Sequence, residues 1–128
     1  MIAVDTSAIL EILLRRPQFA ACATALSNHN DVLISAGTLT EIHIVAGQRG
    51  LAADLMALKD QLALRVVPVT ESTAERIGGI YAAWGKGVHP ASLNFGDCFA
   101  YDVAKQHDCP LLFVGNDFSQ TDVKSALS

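Results

Sequence analysis

The sequence of 128 residues lacks several features that mark out particular classes of protein. No apolar run approaches the roughly 20 residues that a membrane-spanning helix needs. The N-terminus has no charged segment followed by an apolar one, as a secretory signal would have. The three cysteines are odd in number and have no CxxC spacing, which argues against a disulfide framework and against a zinc site. We therefore expect a cytoplasmic protein that has no membrane segment.

Basic residues are also scarce, since 9 lysines and arginines stand against 13 aspartates and glutamates and the net charge is −4. Proteins that bind nucleic acid through nonspecific phosphate contacts are normally basic, so the composition argues against simple coating of nucleic acid. It argues less strongly against an enzyme whose acids are gathered around a divalent cation, because the cation neutralises them locally. The positions of the acids therefore matter more than their total.

The composition, 51% hydrophobic and 17% charged, predicts one well-packed domain that spans residues 1–128. Short, continuous apolar runs alternate with helical segments, which is typical of a parallel sheet covered by helices on both faces. We predict a three-layer α/β/α fold with a short, mostly parallel central sheet. The predicted strands are 2–4, 32–35, 64–69 and 111–114. The predicted helices are 8–14, 18–27, 38–46, 51–62, 70–84 and 95–107.

Four acids lie close to the predicted strand ends, where parallel α/β sheets bind their ligands. Asp5 follows the first strand directly, and Asp117 lies three residues past the apolar core of the last one. Glu41 lies one turn into the helix after the second strand, and Asp97 begins the helix that follows the loop 85–93. Converging carboxylates repel one another unless a hard cation such as Mg²⁺ or Mn²⁺ takes their oxygens as ligands. The set predicts a metal site at one edge of the sheet.

Each acid also has a purely structural explanation. Asp5 is a favoured helix N-cap, and the segment Thr38 to Glu41 fits the S/T-x-x-E capping box. Asn94 with Asp97 fits a cap followed by an acid that the helix dipole favours. Asp117 could belong to a turn. These explanations treat the acids one by one, and none of them accounts for four acids at the same end of one sheet.

Taken together, these stretches resemble the PIN-domain family, and within it the VapC-type toxin ribonucleases of bacterial toxin–antitoxin systems. The resemblance covers nearly the whole chain and implies a PIN-like, Rossmann-like fold. The GDC…PLLFVGNDF block is its most specific part, because it joins two acids through a helix and a strand at characteristic spacing. The matching stretches are IAVDTSAILEIL, TLTEI, LNFGDCFAYDVAKQHDCPLLFVGNDF and the short QTDV.

The resemblance implies a metal-dependent endoribonuclease that uses Mg²⁺, or alternatively Mn²⁺, to hydrolyse RNA phosphodiester bonds. It implies a hydroxyl after the first acid, for which Thr6 is favoured by position and Ser7 is a possible substitute. Asn116 would hold water at the metal or orient the neighbouring acid. Asp122 resembles a further acid of some members, and a solvated or capping role explains it equally well. The four acids and metal ligands that the resemblance implies are Asp5, Glu41, Asp97 and Asp117.

The resemblance also implies partners. It describes the toxin component of a type II toxin–antitoxin module, which forms a homodimer and is inhibited by a small cognate antitoxin. The C-terminal segment of such an antitoxin reaches across the acidic groove. The apolar helices at 8–14 and 39–46 offer surface for that contact.

Basic residues that could hold RNA are few in number. Arg15, Arg16 and Arg49 lie near helix ends that could flank the acidic edge of the sheet. Lys86 and His89 lie in the loop that leads to the third acid of the set. An ordinary solvated residue explains each of them at least as well.

Two phosphotransfer enzymes and one binding module are the alternatives to a ribonuclease. A receiver domain would need an acidic pair after the first strand and a lysine after the last one, and neither is present. A haloacid-dehalogenase-like phosphatase would need DxDxT where this chain has DTSAI. A catalytically inactive PIN-like module that binds protein or RNA remains the alternative, although it predicts a decayed set of acids and all four are present.

Overall fold

A computed structural model describes residues 1–127, which form a single sheet with helices around it. The strands are β1 (Ile2–Val4), β2 (Val32–Ser35), β3 (Arg65–Val67) and β4 (Leu111–Leu112). The helices are α1 (Thr6–Leu13), α2 (Phe19–Ser27), α3 (Ala36–Gln48), α4 (Ala52–Leu62), α5 (Glu71–Trp84) and α6 (Phe95–Gln106). The order of elements is the one that the sequence predicts. No helix in the described part of the chain is long and apolar enough to cross a membrane.

The sheet has the strand order β3-β2-β1-β4, and every strand runs parallel to its neighbours. Ala3 of β1 lies opposite Leu33 of β2 on one side and Leu111 of β4 on the other. Because the strands are parallel, their carboxyl ends meet at the same edge. The prediction of a mostly parallel sheet is therefore confirmed, and the elements that follow the strands begin close together.

Both faces of the sheet are buried, which explains why its strands are continuous apolar runs. Ile2 and Val4 point into a core formed with α1, α2, α3 and α4, whereas Ala3 between them points into a second core formed mainly with α6. Successive residues of a strand face opposite sides of the sheet, so a strand buried on both sides has no polar alternation. The three-layer α/β/α arrangement is confirmed.

The ends of several elements differ from the prediction. The third strand covers only 65–67, and it lies at the edge of the sheet, as Pro68 within the predicted strand indicated. The last strand ends after two residues, because the backbone N–H of Val114 donates a hydrogen bond to the side chain of Ser7 instead of continuing the sheet.

The capping box predicted at Thr38 to Glu41 is wrong. Helix α3 begins directly after β2, and Ser35, the last residue of that strand, accepts a hydrogen bond from the N–H of Gly37. Glu41 therefore lies in the second turn of the helix, where it has no capping role. Ser35 satisfies a free N–H group at the start of the helix, so a second cap three residues later has nothing to satisfy.

Candidate active site

An acidic cavity of about 290 Å³ opens at the carboxyl edge of the sheet. It lies beyond β1, between the first turns of α1 and α6 and the second turn of α3. Its lining contains all four acids that the sequence predicts to converge, together with hydroxyl, carboxylate and guanidinium groups from α1 and the turn after it. The polar residues that line the cavity are Asp5, Thr6, Ser7, Glu11, Arg16, Glu41, Asp97 and Asp117.

Asp5 is both the N-cap of α1 and a wall of the cavity. Its carboxylate accepts hydrogen bonds from the backbone N–H of Ser7 at 3.1 Å and from the hydroxyl of Ser7 at 2.7 Å. Only 5% of Asp5 is exposed. Burial raises its pKa to about 6, against the opposing effect of the hydrogen bonds from Ser7. The capping role is real, but it leaves an acid buried at a position where losing its proton is unfavourable.

The two hydroxyls after Asp5 have separate partners. Thr6 donates a hydrogen bond of 2.6 Å to Glu41 and so connects α1 to α3. Ser7 donates to Asp5 and accepts the N–H of Val114 at 3.0 Å, which connects α1 to the end of β4. The sequence favours Thr6 as the hydroxyl of the site and Ser7 as a substitute, whereas the structure gives each of them a different carboxylate.

Asp97 also combines a capping role with a place in the cavity. Its N–H donates to the side chain of Asn94 at 2.9 Å, and its carboxylate accepts the N–H of Asn94 at 3.0 Å. This reciprocal pair is a capping box at the start of α6. Asp97 is 8% exposed, and burial raises its pKa to about 7, with repulsion from Asp5, Asp117 and Glu41 adding to the rise.

Glu41 approaches Asp97 because a glycine precedes that acid. A Cβ atom at Gly96 would lie 2.9 Å from Oε2 of Glu41, which is closer than real Cβ atoms approach other heavy atoms, and 3.0 Å from Oε1. The carboxylate of Glu41 therefore occupies the space that any larger residue at position 96 would fill. Glu41 itself is exposed, and its hydrogen bond to Thr6 holds it at the cavity.

Asp117 and Asn116 lie in the turn after β4, and both are exposed. Asp117 lines the cavity. Asn116 is not among the residues that line it, and its backbone carbonyl accepts hydrogen bonds from the N–H and the hydroxyl of Ser119. The roles proposed for Asn116 stay predictions.

Two further candidates from the sequence have structural partners. Asp122 accepts hydrogen bonds from the hydroxyl of Tyr101 at 2.7 Å and from the ammonium of Lys105 at 3.0 Å, and these contacts lower its pKa. His89 accepts the N–H of Ala91 at 3.0 Å, and its ring lies 4.7 Å from the ring of Trp84. These contacts tie loops to the second core and favour the structural explanation of both residues.

The donor chemistry of the cavity fits a hard divalent cation. Its ligand atoms are carboxylate and hydroxyl oxygens, which Mg²⁺ and Mn²⁺ prefer. In residues 1–127 no group of three or more His, Cys, Asp or Glu side chains is already arranged so that it could hold a metal ion. Mg²⁺ commonly takes one or two carboxylates, with waters and substrate phosphate completing its shell. Asp5 and Asp97, the two acids of the predicted set that are buried, fit such a site best.

Glu11 is a residue of the cavity that was not predicted from the sequence. It is only 5% exposed, lines the cavity, and accepts the backbone N–H of Gln18 at 2.8 Å. One signal for it is present in the stretch AILEILL. Glu11 follows the buried Ala8 by three residues, so it falls on the buried face of an otherwise apolar helix.

A second cavity, of about 620 Å³, adjoins the first and shares Glu41 with it. We call it the apolar groove, and its lining includes Ile44, Val45, Val69, Phe95 and Phe99. Phe95 is 61% exposed and Ile44 is 56% exposed, so much of its apolar surface faces solvent. The groove therefore extends the acidic cavity with a surface of opposite character.

Comparison with known proteins identifies the family. The model of the PIN domain matches residues 2–124, and the chain belongs to this family. Curated relatives include VapC ribonuclease Mb0625 of Mycobacterium bovis and ribonuclease VapC28 of Mycobacterium tuberculosis. Each is 43% identical over 128 residues, which cover 97% of this chain and 96% of the relative. The ribonuclease VapC of Mycolicibacterium smegmatis is 36% identical over 125 residues, covering 94% of this chain and 95% of the relative. The resemblance inferred from the sequence motifs is confirmed.

Solved structures have the same fold. The sarcin-ricin loop cleaving toxin VapC20 of Mycobacterium tuberculosis has a TM-score of 0.78 at 18% identity, over 96% of both chains. A chain from a toxin–antitoxin complex of Klebsiella pneumoniae has a TM-score of 0.75 at 18% identity, over 98% of both chains. At this identity the similarity establishes the fold, and it supports the PIN-like architecture over nearly the full length of the described chain.

Proposed function

We propose that this chain is a metal-dependent endoribonuclease and the toxin of a type II toxin–antitoxin module. The observation that carries the proposal is the burial of Asp5 and Asp97 in one cavity, although 91 residues separate them in the sequence. Capping accounts for each of the two acids at its own helix, and it gives no reason for them to share a cavity with Glu41 and Asp117. The relatives that are named ribonucleases support the same reaction.

The residues of the cavity have different roles in the proposed phosphodiester hydrolysis. Asp5 and Asp97 would hold Mg²⁺ or Mn²⁺ through carboxylate oxygens, with Asp117 next and Glu41 acting through a water molecule. The bound ion supplies Lewis acidity, which makes water a better nucleophile and stabilises charge on the phosphate. Ser7 fixes the orientation of Asp5, and its two hydrogen bonds favour the ionised carboxylate.

The reaction that follows is attack of water on phosphorus in line with the leaving oxygen. A bond forms between the water oxygen and phosphorus, the bond from phosphorus to the 3′ oxygen breaks, and that oxygen takes a proton. The products are a 3′-hydroxyl and a 5′-phosphate. The carboxylates contribute by orienting the reacting groups and by remaining ionised, since a protonated acid is a poor ligand for a hard cation.

We extend the proposal to partners: a cognate antitoxin, a second copy of this chain, and RNA. The similarity of fold to a chain from a toxin–antitoxin complex supports the antitoxin. The exposed Ile44 and Phe95 of the apolar groove support an interface with protein, because they present apolar surface directly beside the acidic cavity. Size-exclusion chromatography with light scattering, with and without the co-expressed antitoxin, tests both assemblies.

The deciding experiment compares RNA cleavage by the wild type and by Asp97→Asn in Mg²⁺, in Mn²⁺ and in EDTA. The asparagine oxygen can still accept the N–H of Asn94, so the capping box persists and the variant should fold. We expect at least a hundredfold loss of cleavage in Asp97→Asn and none in Asp60→Asn, a matched change of an exposed acid in α4. Equal cleavage by Asp97→Asn and wild type, or full activity in EDTA, would overturn the metal site built on these acids. No cleavage by the wild type in either metal would leave the inactive binding module as the explanation.

A further inference from the structure

The turn between α1 and α2 carries Arg16 to the acidic cavity. Arg16 lines this cavity together with the four acids, and it is the only basic residue in the lining within the described part of the chain. Its side chain is exposed and, over residues 1–127, it belongs to none of the ion pairs. A guanidinium without a carboxylate partner at the rim of an acidic cavity is free to bind an anion.

Glu11 holds this turn at two positions, at its middle and near the start of α2. The carboxylate of Glu11 accepts the N–H of Gln18 at 2.8 Å, and its backbone carbonyl accepts the N–H of Arg16 at 3.0 Å. Arg15, directly before the first of these contacts, has a φ angle of +50°, in the left-handed region that residues with a side chain seldom adopt. Such a conformation persists only where surrounding contacts fix it. The turn, and with it the position of Arg16, is therefore held by Glu11.

Glu11 is a fifth carboxylate in the lining of a cavity that already contains four acids, and only 5% of it is exposed. A buried carboxylate needs a hydrogen-bond partner, and the N–H of Gln18 is the partner that the turn supplies. Arg16 lies on the same turn and lines the same cavity, so the turn connects the buried acid to the arginine.

We propose that Arg16 binds a phosphate group of the RNA substrate at the rim of the acidic cavity and that Glu11 positions the turn that carries it. This inference rests on the proposed ribonuclease function. The planar guanidinium can donate two parallel hydrogen bonds to phosphate oxygens. It also supplies attraction for a polyanion at a site whose acids otherwise repel it. Arg16 is then a substrate-binding residue, and Glu11 is a positioning residue.

The first test compares Arg16→Ala with Arg15→Ala, which removes the same charge from the neighbouring residue outside the cavity lining. A charge-assisted contact of roughly 1.5–3 kcal/mol corresponds to about a 10- to 150-fold loss of kcat/KM in Arg16→Ala, mainly through KM. Arg16→Lys should recover part of the loss, because lysine restores the positive charge but cannot donate two parallel hydrogen bonds as the planar guanidinium does. We expect Arg15→Ala to lose less than about threefold. Equal losses in the two alanine variants would assign the effect to net charge and overturn the proposal.

The second test separates this inference from the ribonuclease itself. Binding of a fluorescent single-stranded RNA in EDTA and at low salt requires no cleavage. We expect Arg16→Ala to bind more weakly than both wild type and Arg15→Ala, and its salt dependence to fall by about 0.7 in the slope of log K. Wild-type protein that binds RNA without ever cleaving it would contradict the proposed ribonuclease activity but not the phosphate contact of Arg16. Unchanged binding by Arg16→Ala would contradict the phosphate contact, and wild-type protein that binds no RNA would contradict both.

The third test concerns the positioning role of Glu11. We expect Glu11→Ala to raise KM as Arg16→Ala does, and the double variant to be no worse than either single one, since both changes remove the same contact. Glu11→Gln keeps an oxygen for the N–H of Gln18 and should stay within about threefold of wild type. Losses that multiply in the double variant would overturn the positioning role. If Glu11→Ala fails to fold, Glu11→Asp, which is one methylene shorter, replaces it.

Discussion

Individual residues of the site serve the fold and the proposed chemistry together. Asp5 caps α1, Asp97 completes the capping box of α6 with Asn94, and the same two carboxylates are buried in the cavity. From the sequence, capping a helix and lining a metal site are alternative explanations of each acid, whereas in the structure each acid has a capping contact and also lines the cavity. The reason is geometric, because a helix that begins at the carboxyl edge of a parallel sheet places its cap residue at the ligand-binding edge.

Glu11 illustrates what could not be predicted at this scale. Its neighbours in the sequence identify a helix, and its spacing from Ala8 places it on the buried side. Its partner, the N–H of Gln18, becomes available only through the turn between the two helices. That turn depends on a left-handed residue that is not glycine, Arg15, and nothing in the sequence around Arg15 marks such a conformation. A local pattern therefore gives the burial of Glu11 but not its role.

The hydroxyl of Ser7 gives a test at the scale of one residue. Ser7→Ala removes the donor to Asp5 and leaves the N–H of Val114 without its acceptor, so we expect the free energy of unfolding to fall by about 1–2 kcal/mol. The hydrogen bond from the hydroxyl of Ser7 lowers the pKa of Asp5, so its loss raises that pKa further, while the backbone N–H of residue 7 still donates. The acidic limb of the pH–rate profile should therefore move to higher pH. Urea titration and pH–rate profiles measure both effects.

Ser27→Ala is the control for this change, because Ser27 is exposed and donates its hydrogen bond only to the backbone of its own helix. We expect it to change the free energy of unfolding by less than about 0.5 kcal/mol. An acidic limb that stays in place in Ser7→Ala would show that the hydroxyl has no influence on the proton affinity of Asp5.

At the scale of helices and strands, the presence and order of the elements could be predicted from the sequence better than the residues at which they begin and end. The apolar runs of β1 and β2 and their order follow from the continuous hydrophobic pattern. The length of β4 does not, because its pairing ends where Val114 turns to the side chain of Ser7, 107 residues away in the sequence. The start of α3 was misplaced for a related reason. Ser35 can end a strand and cap a helix at once, and the local sequence contains a second, competing capping pattern.

The approach of α6 to α3 gives a test at this scale. Gly96→Ala adds a Cβ atom that meets the carboxylate of Glu41, so Glu41 must turn away and lose its hydrogen bond to Thr6. Because that carboxylate ends a flexible, exposed side chain, we expect the free energy of unfolding to change by less than about 1 kcal/mol. We expect cleavage to fall at least fivefold. Thermal unfolding and RNA cleavage measure the two quantities separately.

Gly79→Ala is the matched control for the change in α6. It makes the same substitution inside a helix, in α5, where a Cβ atom meets nothing within 4 Å. Alanine has a higher helix propensity than glycine, so we expect a gain of up to about 1 kcal/mol and unchanged cleavage. Full activity in Gly96→Ala would mean that the position of Glu41 does not matter for the reaction.

At the scale of the whole molecule, the parallel sheet is what makes the site predictable. Parallel α/β sheets bind their ligands beyond the carboxyl ends of their strands, and all four acids meet in the cavity at that edge. They follow β1 (Asp5), β2 (Glu41), the loop before α6 (Asp97) and β4 (Asp117). The apolar groove beside it was not predicted. Its aromatic and aliphatic side chains come from α3, α6 and the segment after β3, and their sequence spacing is the same as that of residues in a core.

The burial of several acids in one cavity has a consequence for the stability of the whole molecule. In EDTA, the folded protein holds a proton on Asp5 up to a pKa of about 6 and on Asp97 up to about 7, whereas the unfolded chain releases both near pH 4. Between these values the folded state binds more protons, so stability falls as the pH rises. We expect the free energy of unfolding to drop by on the order of 4 kcal/mol from pH 5 to pH 8. Urea titrations of wild type and Asp97→Asn should show a smaller drop in the variant, which has one fewer acid to ionise.

Millimolar Mg²⁺ should reduce the wild-type drop, because an ion that binds only the folded state stabilises it most when the carboxylates are charged. A wild-type stability that stays level or rises over this range in EDTA would mean that the two acids are ionised in the folded protein without a cation.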